Sequence, residues 1–150
     1  MADRPMIMSA IVYQDPRAAL AWLEKAFGFE TVMVIEDDTG EIVHSEMRHG
    51  ESLVVVAKEW DEDHKSPASI SGKNTQSLHI HIEGDIHAHF ERAKAAGATI
   101  IVGPEEQFYG DTVYRCRDPD GHVWTVGQTV KVVSREEAET ATGLKITGWV

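Results

Sequence analysis

DPRAALAWLEKAFG, residues 15–28, returns further along the chain as DIHAHFERAKAAG, residues 85–97. In both stretches a strand-like apolar run ends in an Asp, an amphipathic helix follows, a Gly stops it and a second apolar run begins. The correspondence continues downstream, where Gly50 and Gly121 each precede the last strand pattern of their half, LVVVA (53–57) and VWTVG (123–127). Offsets of 70, 69 and 71 residues separate Asp15 from Asp85, Gly28 from Gly97 and Gly50 from Gly121. A fixed period of this kind marks a duplicated supersecondary unit.

Working outward, Met6 to Tyr13 reads as a first strand, apolar almost throughout. Asp15 can accept from free backbone N–H groups and Pro16 suits the first helical position. Leu20, Leu23 and Phe27 form the inward stripe, with Ala19 and Trp22 beside it, and Gly28 ends the helix. Glu30–Ile35, Ile42–Arg48 and Ser52–Ala57 then alternate as strands between turn-rich segments. The second half repeats the order, with strands at Ser77–Ile82, Thr99–Val102, Thr112–Arg117 and His122–Gly127 and a helix over 85–96. Gly103-Pro104 and Tyr109-Gly110 are placed in a loop. Ser134 with Glu137 forms a capping box for a short final helix stopped by Gly143, and the tail Leu144–Val150 reads as a last strand or an arm packed on a neighbour. The expected organisation is a first βαβββ module over 1–58, a linker or flap over 59–76, a second module over 77–128 and a C-terminal helix and tail over 129–150. Trp22 and Trp124 are expected in the core, His122 beside a turn it bonds locally, and His87 and His89 on solvated helix turns.

Composition narrows the partners. The chain has 150 residues with 42% apolar and 26% charged residues, an ordinary balance for a folded domain. A unit of roughly 70 residues is marginal by itself, so the two copies should pack on each other or on a second chain. The net charge of -11 argues against nucleic acid, since phosphate binding rests on clustered Lys and Arg. No apolar run reaches the roughly 18 residues of a membrane span, and the N-terminus lacks the pattern of a signal peptide. Cys116 is the only cysteine and has no intrachain partner, which fits a reducing cytoplasm and a buried position in a strand.

AWLEKAFGFE (21–30), IVHSEMRHGES (42–52), AHFERAKAAGA (88–98) and YGDTVYRCRDPDGHVW (109–124), in this order, resemble the vicinal oxygen chelate superfamily of glyoxalases, bleomycin-resistance proteins and extradiol dioxygenases, most closely its PhnB-like group. The resemblance implies an α+β fold in which two βαβββ modules form a curved mixed sheet around a cavity, often completed as a homodimer. It also implies a small oxygenated ligand and, in many members, a divalent metal held by one residue from the first and one from the last strand of each module. Those positions fall at Met8, around Val55 or Val56, at Ser77 and at Thr125, none of which is a usual ligand for a hard or borderline cation. No metal ligand is therefore assigned, and the cofactor stays unknown, with a divalent metal as one option.

Four side chains and an arginine carry the remaining chemistry. His79 and His81 alternate in LHIH, so both project from one face about 7 Å apart, as metal ligands or substrate contacts. His44 and Glu46 alternate likewise and could act as an acid–base pair, or form an ordinary cross-strand polar pair. Arg115 could bind an anionic substrate, or stand as a solvated strand residue. Asp118-Pro119-Asp120-Gly121 matches turn chemistry, where Asp fixes the turn. Two readings of different class stay open: an enzyme, a glyoxalase-like lyase or dioxygenase using His79, His81 and Glu46, and a metal-free protein that binds or sequesters a small molecule in a cavity lined by Met8, Val12 and Val55.

Overall fold

The computed structural model describes residues 4–149. Strand β1 (Ser9–Tyr13), helix α1 (Pro16–Phe27) and strands β2 (Glu30–Glu36), β3 (Ile42–His49) and β4 (Ser52–Lys58) make the first module. Strand β5 (Leu78–His81), helix α2 (Ile86–Ala95) and strands β6 (Thr99–Glu106), β7 (Asp111–Arg117) and β8 (Val123–Thr129) make the second, and helix α3 (Arg135–Thr142) follows. Each module is a four-stranded mixed sheet, ordered β1-β4-β3-β2 and β5-β8-β7-β6. The first strand pairs parallel with the last, while the other pairings are antiparallel. The duplication is thus exact in topology, and within one chain it yields two separate sheets.

Local chemistry sets the helix ends. Asp15 Oδ1 accepts from the N–H of Ala18, Pro16 opens α1, and Gly28 closes it at φ 71°, a conformation side chains rarely adopt. Asp85 caps α2, and Ser134 and Glu137 form the reciprocal capping box of α3.

One face of each sheet is covered by its helix. Ile11, Tyr13, Met47 and Val56 from the first sheet and Leu78, Tyr114, Cys116, Trp124 and Val126 from the second enter a single core with Leu23, Phe27, Phe29, Ile86 and Ala93. The core crosses the module boundary: Phe27 and Phe29 meet Trp124 edge-on, with ring centroids 5.1 and 5.7 Å away. Two helix ends reinforce this junction. Arg92 donates through Nε and Nη2 to the carbonyls of Lys25 and Glu24 at the C-terminus of α1, where a cation meets the negative end of the helix dipole. Trp22 packs half-buried against this core, edge-on to Phe27 with ring centroids 5.2 Å apart, and its indole N–H bonded to Ala96 O at 2.8 Å makes it a cross-module tie as well.

Two expected features are corrected. Gly103-Pro104, expected in a loop, lies inside β6. That strand is at the sheet edge and its register shifts between Val102 and Glu105, so a proline without an N–H is accommodated where no ladder bond is lost. The tail forms no strand over its described residues 144–149; Trp149 instead bonds back to Val133 O at 2.9 Å.

Candidate functional site

Because side chains alternate across a strand, the face opposite the helices is defined by register. In the first sheet Ala10 stands opposite Val55, and Val55 opposite Glu46. In the second, His79 stands opposite Thr125, and Thr125 opposite Arg115. Glu46 and Arg115 therefore hold equivalent positions of the two modules, with opposite charge. These outer faces carry the polar side chains that core packing does not use.

Glu46 is the focal point of the first outer face. It is only 3% exposed although it points away from the helices. Its Oε1 accepts from Arg4 Nη2 at 2.6 Å and from His44 Nε2 at 2.9 Å. The hydrogen bond from Arg4, then that from His44, hold the carboxyl below its usual range against the opposing effect of burial, so it is ionised at neutral pH. His44 stays about one-third exposed at its side chain, and because Nε2 donates to Glu46, Nδ1 is left as the acceptor of the neutral ring.

The second outer face is organised around Arg115, whose Nε donates to Thr125 Oγ1 at 3.1 Å. His79, Thr125, Val102, Val113 and Tyr109 wall a depression of about 240 Å³ with it. His81 lies on the same face, its Nε2 3.4 Å from Thr129 Oγ1, while its carbonyl accepts from His49 Nε2 at 2.8 Å. His44 with Glu46 and His79 with Arg115 are thus brought together in pairs. His79 and His81 belong to the other sheet and make no hydrogen bond with either His44 or Glu46.

The donor set does not fit the family's metal. Register puts Val55 on the outer face opposite Ala10 while Val56 is fully buried, and Met8 and Ser77 each precede their strand by one residue. A thioether, a hydrocarbon and two hydroxyls replace the imidazoles and carboxylates such a cation needs. Among the described residues no three of His, Cys, Asp and Glu gather as a metal-binding group.

Three residues act otherwise than their sequence context suggested. Asp118 does fix the turn through the N–H groups of Asp120 and His122, but its other oxygen accepts from Tyr13 Oη at 2.7 Å and Trp124 Nε1 at 3.0 Å. Burial pushes its carboxyl above the usual range, opposed by these bonds. His122, expected to bond locally, donates through Nε2 to Val12 O at 2.6 Å in the other module. His89, expected in solvent, stacks on Phe27 and shares a 2.5 Å hydrogen bond with Tyr114 Oη. Cys116 is buried as expected, its thiol pushed up to about 12 by burial and then by Asp118, which leaves it inert.

Paired βαβββ modules, each a mixed four-stranded sheet with its first strand parallel to its last, define the class of fold. The sequence matches the Glyoxalase/Bleomycin resistance protein/Dioxygenase superfamily over residues 6–126, and the chain belongs to that superfamily. It is similar to an uncharacterized protein of Mycobacterium bovis, with 28% identity over 141 residues and 91% of each chain covered. Among solved structures it is similar to TioX from Micromonospora sp. ML1, at 26% identity and TM-score 0.64, covering 83% of this chain and 98% of that one. A superfamily member from Sphaerobacter thermophilus gives TM-score 0.66 at 21% identity over 85% of this chain and 99% of that one, a likeness of fold. No helix over the described residues is long and apolar enough to cross a membrane.

Proposed function

We propose that the chain binds a small oxygenated molecule on its outer sheet faces without a metal, as a sequestering or resistance-type protein of the PhnB-like group. The observation that carries this reading is the buried Glu46 held by Arg4 and His44. A nearly inaccessible carboxylate on a face that packs no helix has no part in the core, yet it fixes one part-exposed imidazole whose Nδ1 makes no hydrogen bond among the described residues. His44 would meet a ligand hydroxyl through Nδ1, His79 and His81 would add polar contacts, and Arg115 would meet an anionic group. Apolar lining comes from Ala10, Val12 and Val55, in keeping with cavities that are mostly apolar with few polar anchors.

A homodimer would complete the site. Each outer face is open within one chain, and apolar side chains such as Ile35 and Ile7 stand 46% and 88% exposed beside it. A second copy is the partner of matching character, since apolar side chains left exposed beside the outer face would be covered by the same surface of another chain. A buried free thiol accords with a cytoplasmic setting.

The dyad geometry supports a second reading, acid–base catalysis with Glu46 orienting and His44 moving the proton. A thermal-shift screen in the presence of chelator, using monocarboxylates, phenols, quinones and 2-oxoaldehydes, separates the readings. Binding predicts stabilisation by at least one class and loss of that shift in His44→Ala, with every compound recovered unchanged. Turnover by wild-type protein and not by His44→Ala favours catalysis. Stabilisation by added divalent cations alone would overturn both.

A further inference from the structure

Away from the core, three aromatic side chains stand where packing does not use them. Phe108 and Tyr109 lie side by side in the turn between β6 and β7, Trp149 lies in the C-terminal tail, and they are 44, 39 and 40% exposed. Rings left this open gain only part of the stabilisation that burial would give them. All three line one hollow of about 980 Å³, a volume within the range of small-molecule sites.

Backbone contacts hold its walls in place. The carbonyl of Gly110, the residue after Tyr109, accepts from the N–H groups of Val130 and Lys131 at 2.9 and 3.1 Å, which pins the turn to the segment after β8. The Trp149 indole N–H donates to Val133 O at 2.9 Å, which brings the tail against that same segment. Phe108 and Tyr109 stand at 90° with ring centroids 5.2 Å apart, so their faces turn in two directions, and the indole adds a third ring from another part of the chain. Rings positioned beforehand lose little freedom when a ligand settles on them.

Charge decides what the hollow takes. Of the residues that line it, Asp111 and Lys131 are the charged ones. Lys131 is already matched, its Nζ 2.6 Å from Glu106 Oε1. Asp111 Oδ1 accepts from Thr129 Oγ1 at 2.8 Å, and among the described residues no cationic side chain pairs with it, so the lining carries one uncompensated negative charge. Its influence reaches the neighbouring ring: burial, then Asp111, raise the Tyr109 phenol above its usual range, and Arg115, on the smaller depression that Tyr109 also borders, opposes them more weakly. An apolar partner pressed onto the rings would strand this carboxylate away from water at a cost. A cationic head meets both features, since ring faces and a carboxylate each attract positive charge, in a chain of net charge -11.

We propose that this hollow is a site for a quaternary or alkylated ammonium group, held over the faces of Phe108, Tyr109 and Trp149 with Asp111 as its counter-ion. The site uses neither His44 and Glu46 nor Arg115, so it goes beyond the outer-face reading and stands or falls separately. Choline, its uncharged isostere 3,3-dimethylbutan-1-ol and the anion 3,3-dimethylbutanoate share one branched head, and amide chemical shifts of the full chain during titration with each test the site. Choline should bind about fivefold tighter than the alcohol, and the anion more weakly than either, with shifts centred on residues 108–111, 129–134 and 147–149. In Asp111→Asn the preference for choline over the alcohol should largely disappear while the alcohol still binds, and Trp149→Leu should weaken choline about fivefold. Equal binding of choline and the alcohol, or an unchanged preference in Asp111→Asn, would overturn the proposal; that nearly isosteric variant decides even if Trp149→Leu disturbs the tail. Shifts in the hollow that follow protein concentration and not choline would overturn it too, and mark this surface as a contact between copies. Choline-dependent shifts confined to the surroundings of His44 or Arg115, or none at all, would remove this site and leave the outer-face reading to its own test.

Discussion

His89 shows how one side chain couples packing to pH. Burial, then the nearby charges of His49 and Arg92, lower its imidazole from 6.5 to about 4, and its Nε2 has no hydrogen-bond partner. The unfolded chain therefore binds a proton near pH 6.5 that the folded chain refuses until about pH 4, so stability is complete above the first value and declines as pH falls toward the second. The full shift corresponds to about 3 kcal/mol, and partial exposure of the ring reduces this to about 1–2 kcal/mol. Urea unfolding at pH 7.5 and 5.0 should show that loss in wild type and a smaller one in His89→Gln; equal losses would contradict the assignment. The position was legible, since Ile86, His89, Phe90 and Ala93 follow helical spacing along the inward side of α2, but histidine's polarity hid it among neighbours that are solvated. The alternation of His44 and Glu46 also announced a shared face. Arg4 did not, because it lies 42 residues away in a segment with no periodic pattern to place it.

At the scale of elements, the turn after β7 is a latch between modules. Asp118 joins Tyr13 to Trp124, His122 holds the carbonyl of Val12, and Asp120 accepts from the backbone N–H of Gln14 and from Ser66 Oγ. Asp118→Ala leaves two buried donors unsatisfied and should cost about 2–4 kcal/mol, with Tyr13→Phe near 1 kcal/mol, measured by chemical denaturation. A cost under about 0.5 kcal/mol for Asp118→Ala would show the latch to be incidental. Gly110 ties the C-terminal segment: at φ 100° its carbonyl accepts from the N–H groups of Val130 and Lys131, and a Cβ would sit 2.1 Å from Lys131 O. Gly110→Ala should release residues 130–149, seen as faster amide exchange there and early proteolysis. Strand order, caps and the duplication could be read from periodicity and turn residues, which are local signals. The latch could not, since its bonds span more than 100 residues and no period records them.

For the whole molecule, the fold separates two tasks. The helix-covered faces form one continuous core, which stabilises two modules too small to stand alone. The opposite faces are left to present Glu46 with His44 and Arg115 with Thr125 at equivalent points, and a second copy would enclose them. Analytical ultracentrifugation at micromolar concentration should give twice the 16.6 kDa chain mass, and a strictly monomeric species would remove the enclosing partner. The family was legible because four segments keep its order, whereas the reaction was not, because the positions to which the resemblance assigns the metal ligands, Met8, Val55 or Val56, Ser77 and Thr125, carry none of the usual donor side chains. The most direct measurement is amide chemical-shift mapping of the uniformly labelled protein in chelator, during titration with a compound that raises its melting temperature. Shifts concentrated on outer-face residues, led by His44, Glu46 and Val55 or by Arg115 and Thr125, are the expected result. Shifts confined to α1 and α2, or appearing only when a divalent metal is supplied, would contradict metal-free binding on the outer faces.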